Sequence, residues 1–364
     1  MNREQAFPTF DYMQWAKTRF VHQPPRYHLA SSGLTPPDGI FADGLDDPQD
    51  VMAVAEAQRA VAARYRVDVD RVTLTMGTSH AFFLLCASQL RPGDRCLVEQ
   101  PCYPMLQNLP GLFGAETHRF ERSFADGFAI PGDLVARIEA LRPRLVLLAN
   151  PHNPSGVVAP LEALRPIAEA VRTVGGVLGV DEVYLEYFPD AVARSALSLG
   201  EGVAVGASLT KAYGFGPLRF GWLVGDAPVV RQAVLYDDYV MVHYPAPAAA
   251  AALRVLERLD QLAARAGEVR ARGLASVEAF VASRDDVSWH APDAGVVGLL
   301  RLHGVADTMG FVERLVEEEE TIVVPGEFFG APGFVRLGFG GDLPMLEEGL
   351  RRLGRLLDAT RTEG

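Results

Sequence analysis

Lys211 stands eight positions before Arg219 in SLTKAYGFGPLRFGW (208–222), with glycines and aromatics around both. A lysine becomes a nucleophile when its amine sheds a proton, and both a nearby cation and a dry surrounding lower its pKa. The pair therefore suits an amine that forms a Schiff base, although a lysine taken singly is usually just solvated. Asp181 opens DEVY (181–184) at the end of an apolar run. A carboxylate there is costly unless a cation pairs with it, and an incidental surface loop is the plain alternative. NPHNPSG (150–156) carries two Asn-Pro pairs that turn the backbone and present an amide, that of Asn153 among them, in a fixed direction. Either pair alone would be an ordinary turn. Gly77, Thr78 and Ser79 follow the run VTLT and open a helical pattern. Bare N–H groups and two hydroxyls there face an anion, as they also would in a simple helix cap.

These residues need strands to end beside one another. VTLT (72–75), CLV (96–98), LVLLA (145–149), VLGV (177–180), VAVGA (203–207) and FGWLV (220–224) are short apolar runs bounded by Gly, Pro or Asp. They read as buried strands. Helical periodicity fills 79–89, 131–141 and 161–174, and this alternation predicts a largely parallel sheet with helices on both faces. Each cluster falls at a strand end, where open α/β sheets place their ligands. From Ala248 to about Ser283 the pattern predicts long helices interrupted at Gly267 and Gly273. VSWHA, GVVGLLRL, TIVVP and FVRLGF then read as strands, with helices at about 306–319 and 343–360, which predicts a smaller α+β unit.

Composition narrows the function classes. A formal net charge of −12 repels phosphate backbones and anionic lipid, so neither nucleic acid nor a membrane is an expected partner. Three cysteines, Cys86, Cys96 and Cys102, have neither a CxxC spacing nor histidines at zinc-site spacing, so no metal or disulfide framework is expected. The N-terminus has no basic start followed by an apolar core, and the alanine run 248–252 stops at Arg254. The expectation is a cytoplasmic protein.

Taken together and in order, NPHNPSG, DEVY, SLTK, PLRFGW and VRLGF resemble the class I/II aminotransferases, pyridoxal 5'-phosphate (PLP) enzymes of fold type I. The resemblance runs from Gly33 to Arg336. It implies a seven-stranded, largely parallel sheet, a smaller α+β C-terminal domain and a homodimer. The implied division is an N-terminal arm (1–40), a large cofactor-binding domain (41–260) and a small domain (261–364). It implies that Lys211 forms the Schiff base and carries the substrate Cα proton, and that Asp181 keeps the pyridine nitrogen protonated. Tyr184 and Asn153 would donate to the ring's phenolic oxygen, and Tyr103 in EQPCYP would stack on the ring. Gly77, Thr78, Ser79, Ser208 and Arg219 would hold the phosphate. Arg336 would grip the substrate α-carboxylate through two parallel bonds, with Gly33 and Asn153 beside the substrate.

One stretch departs from the family pattern. Many members carry a tyrosine between the positions matching Gly33 and Ala53 that reaches the phosphate in the partner subunit, and LTPPDGIFADGLDDPQDVM has none. Phe41 cannot donate a hydrogen bond, which leaves Tyr12 as a candidate for that contact. Asp43, Asp46, Asp47 and Asp50 crowd into the same stretch; they read either as a solvated helix start or as an attraction for a cationic substrate. ASSGL, TKAYG and a helix bearing DDYV also resemble capreomycidine synthase, which cyclises a hydroxyarginine by elimination and addition. The expected activity is therefore transfer of an amino group from an α-amino acid to a keto acid. A lyase or cyclase acting on a cationic amino acid is the alternative. A non-catalytic, regulatory use of the same fold fits less well, because the lysine, aspartate, tyrosine and both arginines are all retained and no helix-turn-helix module is present.

Overall fold

The computed structural model describes residues 11–16, 18–19, 25–34, 52–188, 190–241 and 243–363. Its strands, in chain order, are β1 (Tyr27–His28), β2 (Val72–Thr75), β3 (Arg95–Gln100), β4 (Glu116–Glu121), β5 (Leu145–Ala149), β6 (Val177–Asp181), β7 (Val203–Ser208), β8 (Gly221–Val224), β9 (Val287–Trp289), β10 (Val297–Leu302), β11 (Thr321–Ile322), β12 (Val324–Pro325) and β13 (Phe334–Gly338).

Seven of them form one sheet in the order β2-β8-β7-β6-β5-β3-β4. The pairs from β7 through β4 are parallel, and β8 runs antiparallel to both neighbours. The protein is thus an α/β fold with a mostly parallel central sheet and a C-terminal sheet domain. Strands β5, β6 and β7 are buried along their whole length, which is why they read as unbroken apolar runs rather than as alternations. Strand β4, ETHRFE, has no such run, because it lies at the sheet edge and only Phe120 is buried. The apolar runs account for six strands and β4 supplies the seventh.

Three other expectations are corrected. The helix Leu259–Ala282 continues through Gly267 and Gly273, and the break from the preceding helix Ala246–Leu256 falls at Glu257 and Arg258 instead. Gly273 is there because a Cβ would lie 2.1 Å from the Phe339 carbonyl oxygen; it admits a close approach and does not end the helix. TIVVP divides into β11 and β12, which belong to different sheets. DDYV is only partly helical: the helix Ala227–Asp237 ends at its first residue, and Asp238–Val240 form turns.

The C-terminal sheet has the order β12-β13-β10-β9, with all pairs antiparallel. Beside it β1 pairs with β11 in parallel, and the Gly338 amide donates to the Leu29 carbonyl at 2.7 Å. The segment after β1 then reaches the large sheet, where the Leu34 amide donates to the Lys211 carbonyl at 3.1 Å. Residues 29–34 therefore bridge both sheets.

Gly338 permits that bridge, since a Cβ on it would meet the Ser31 carbonyl oxygen at 1.8 Å. Backbone cannot swing aside as a flexible side chain can, so Gly338→Ala should destabilise the fold by about 1–3 kcal/mol. Gly267 sits mid-helix, and a Cβ added to it would have no neighbour within 4 Å, so Gly267→Ala should stabilise by about 0.5–1 kcal/mol. Urea unfolding midpoints of the two variants should move in opposite directions.

Candidate active site

Strand register brings the chemistry to one edge. Ala149 is level with Asp181, and Asp181 with Gly206, so the segments after β5, β6 and β7 leave the sheet side by side. A cavity of about 420 Å³ opens at these carboxyl ends and is lined by Thr78, Ser79, Tyr103, Asn153, Asp181, Ser208, Lys211 and Arg219, with Ser32, Met105, Val183 and Thr210 completing the wall.

At one end of the cavity the helix Thr78–Gln89 begins. Gly77 precedes it with φ of 80°, a conformation that favours glycine, and a Cβ there would lie 2.9 Å from Arg219 Nη2. Thr78 Oγ1 donates to the buried Ser208 Oγ at 3.2 Å. Arg219 reaches across and donates from Nη2 to the Met76 carbonyl at 2.7 Å. Two hydroxyls, a helix N-terminus and a guanidinium thus surround one space, a donor set suited to a phosphate.

Asp181 is buried in the cavity floor, where one carboxylate oxygen accepts from the Val183 amide at 3.0 Å. Burial pushes its pKa up to about 7, against the smaller opposing effects of that hydrogen bond and of Lys211. Lys211 is pushed the other way, down to about 8, by burial first and then by the charge of Arg336; Asp181 partly restores it. Its Nζ donates to Ser32 Oγ at 2.8 Å. Tyr103 has its hydroxyl pKa raised by burial.

Arg336, on β13, is 1% exposed. Its Nη1 donates to Asn153 Oδ1 at 3.2 Å and its Nη2 to the Tyr12 hydroxyl at 3.2 Å, while Nε has no partner. Asn153 thereby keeps its NH2 group for the cavity it lines. Among the described residues no carboxylate pairs with Arg336, so a buried cation is left to neutral partners. Tyr184 donates its hydroxyl to the Ser32 carbonyl at 3.1 Å and lies just behind the wall. Gly33 packs on the Lys211 backbone, where its Cβ would find Lys211 Cα at 3.4 Å.

Residues 48–353 match the family described as aminotransferase class I and II. The chain belongs to that family. Capreomycidine synthase of Streptomyces vinaceus is 31% identical over 302 residues, 82% of this chain and 77% of that protein. The arginine–pyruvate transaminase AruH of Pseudomonas aeruginosa is 27% identical, covering 84% and 80% of the two chains. A PLP-dependent aminotransferase from Streptococcus suis has the same fold, with a TM-score of 0.87 at 22% identity over 98% and 99% of the chains. The PLP-dependent cyclase OrfR gives 0.82 at 26% identity over 99% of each. The cofactor of this aminotransferase-family enzyme is pyridoxal 5'-phosphate, and the cavity suits it: a phosphate donor set at one end, a buried carboxylate and amine in the middle, and the partnerless Thr210 hydroxyl in the wall.

The residues that sequence reasoning passes over are Ser32 and Thr210, although both sit inside motifs that it uses, SSGLTPP and SLTK. Tyr12 accepts a hydrogen bond from Arg336 Nη2 through its hydroxyl oxygen. Phe41, Asp43, Asp46, Asp47 and Asp50 lie outside the described residues.

The folded pKa of Asp181 lies above its ordinary value of 3.8. Its contribution is therefore most favourable below about pH 4 and is lost as the pH rises through about 7. Asn imitates the protonated acid, so in the cofactor-free chain Asp181→Asn should raise unfolding stability at pH 8 by up to a few kcal/mol and change it little at pH 4. Urea melts at the two pH values check this; equal changes at both would contradict it.

Proposed function

We propose that this enzyme is an aminotransferase that moves the amino group of an α-amino acid to a keto acid. The observation that carries the reading is Arg336, a buried guanidinium without a carboxylate partner among the described residues and with an unused Nε, next to a cavity that holds a lysine of lowered pKa. Its planar fork fits a carboxylate through two parallel bonds. Seating a substrate there brings its α-carbon toward Lys211.

Bound pyridoxal 5'-phosphate supplies the carbonyl that takes up an amine and the ring that delocalises the electron pair left at the substrate α-carbon. The chain's residues do the rest. Thr78, Ser79, Ser208 and Arg219 would hold the phosphate, with Gly77 keeping the approach open. Tyr103 would stack on the ring, the NH2 group of Asn153 would donate to its phenolic oxygen, and the Tyr184 hydroxyl would do so on leaving the Ser32 carbonyl. Asp181 would hold a proton on the ring nitrogen, and a cation there would offset the burial that raises its pKa. Lys211 Nζ would accept the proton from the substrate α-carbon and hold it for return.

A second reading is favoured by specific relatives. Both capreomycidine synthase and the cyclase OrfR match over most of the chain, so elimination or cyclisation on a cationic amino acid is the alternative outcome of the same proton removal. Arginine is named in a transaminase relative as well, which makes it the first substrate to test under either reading. Incubation with arginine, glutamate, leucine and phenylalanine, with keto-acid and ammonia products both measured, separates the two. Keto acid formed only when an acceptor is added supports transamination; ammonia, or a cyclic product without an acceptor, supports the second reading.

The two arginines should separate by what they hold. Arg336→Ala should lower kcat/KM for α-amino acids about a hundred-fold, on the order of 3 kcal/mol, and leave amines without a carboxylate nearly unaffected. Arg219→Ala should instead weaken cofactor retention, seen as loss of visible absorbance on dialysis. Equal damage by Arg336→Ala to both substrate types would contradict the carboxylate role.

We also propose a cytoplasmic homodimer. Leu235, Tyr239 and Val240 are 62%, 93% and 53% exposed at one end of the helix Ala227–Asp237, an apolar patch suited to burial against a second copy. No helix among the described residues is long and apolar enough to cross a membrane. Leu235→Asp combined with Tyr239→Asp should shift the mass measured by light scattering from dimer to monomer.

A further inference from the structure

Lys211 Nζ makes a single hydrogen bond among the described residues, to Ser32 Oγ at 2.8 Å. The charged groups around it act from farther away: Asp181 favours the protonated amine, while Arg336 and Arg219 oppose it. Among the described residues Ser32 is therefore the one neutral oxygen that touches this amine.

The backbone of the segment that carries it is held on both sides of the serine. The Tyr184 hydroxyl donates to the Ser32 carbonyl at 3.1 Å. Two residues on, the Leu34 amide donates to the Lys211 carbonyl at 3.1 Å, so the lysine and the serine segment are tied backbone to backbone. Ser32 also lines the cavity. Its neighbour Ser31 turns its own hydroxyl to the Gly33 carbonyl at 3.2 Å, which separates the two serines by role.

We propose that Ser32 is a catalytic residue whose hydroxyl oxygen accepts a hydrogen bond from Lys211 Nζ, aiming the amine at the substrate carbon and stabilising its protonated form during proton transfer. The inference rests on the reading of Lys211 as the lysine that links the cofactor and carries the proton. In that step a substrate C–H bond breaks, an N–H bond forms on Nζ, and the electron pair stays with the substrate. The ammonium so formed stands in a poorly solvated space with two arginines acting against it. An oxygen acceptor favours the charged form there, and hydrogen bonds to charged groups are stronger than neutral ones. Ser32 gives up no proton and needs no co-reactant.

The test uses the full chain stripped of cofactor and follows capture of added pyridoxal 5'-phosphate by absorbance across pH, because capture requires the unprotonated Lys211 amine. Ser32→Ala should move the midpoint of that profile down by about one unit. In the reloaded enzyme it should lower kcat about ten-fold with KM nearly unchanged, and Ser32→Thr should restore both. A midpoint and a kcat equal to wild type in Ser32→Ala would overturn the proposal. Ser32→Cys, which keeps the size but is a poorer acceptor, serves in the same way if the alanine variant fails to fold. Capture that persists in Lys211→Ala would overturn the assignment of Lys211 itself, whereas normal capture without any Ser32 effect overturns this inference alone.

Discussion

Lys211, Arg219 and Arg336 converge on a space in which Asp181 is the carboxylate whose charge reaches the amine, while the groups that raise the pKa of Arg336 are tyrosines. Cations gathered in a poorly solvated site repel one another, and the excess is tolerable only where anions are meant to arrive. A phosphate against Arg219 and an α-carboxylate against Arg336 would supply the missing charge at opposite ends, with the reactive amine between them. The imbalance also acts on Lys211 directly, since the charge of Arg336 lowers its pKa and Asp181 raises it. One arrangement thus prepares the binding of two anions and the reactivity of an amine.

The scaffold behind this site has a buried ion pair of its own. Glu99 and Arg122 are both fully buried and bonded at 3.0 Å. Glu99 also accepts from the Ala149 amide at 2.7 Å, and Arg122 donates to the carbonyls of Phe128 and Ala149 at 2.7 and 3.3 Å. The pair clamps the end of β5 where NPHNPSG departs. His152 is wedged into the same turn, with Nε2 at 2.7 Å from the Pro101 carbonyl and Nδ1 at 2.7 Å from Ser155 Oγ. These hydrogen bonds fix the loop that carries Asn153, while at the site itself the Thr210 hydroxyl and Arg336 Nε are left without partners.

The central strands are legible in the sequence because burial on both faces writes them as apolar runs, and the clusters at their ends are legible because each sits within a few residues of such a run. Strand β4 is not, since an edge strand with charged residues on its open side carries no comparable signal. Gly267 and Gly273 mislead for a related reason: glycine marks a stop in an isolated helix, but here one is surface and the other makes room for the Phe339 backbone. Ser32 and Tyr12 are out of reach in a different way. Their partners lie 179 and 324 positions away, and a juxtaposition across that distance depends on how two sheets pack, which no local pattern encodes.

Residues 29–34 are joined to β11 and β13 at one end and to Lys211 at the other. Arg336 lies on β13, so the strand that would grip a substrate also anchors the segment that touches the amine. Where binding at one place alters the other, thermodynamic linkage makes the effect reciprocal. Whatever factor the chemical state of Lys211 imposes on carboxylate affinity at Arg336, an occupied Arg336 imposes on the proton and cofactor equilibria of Lys211.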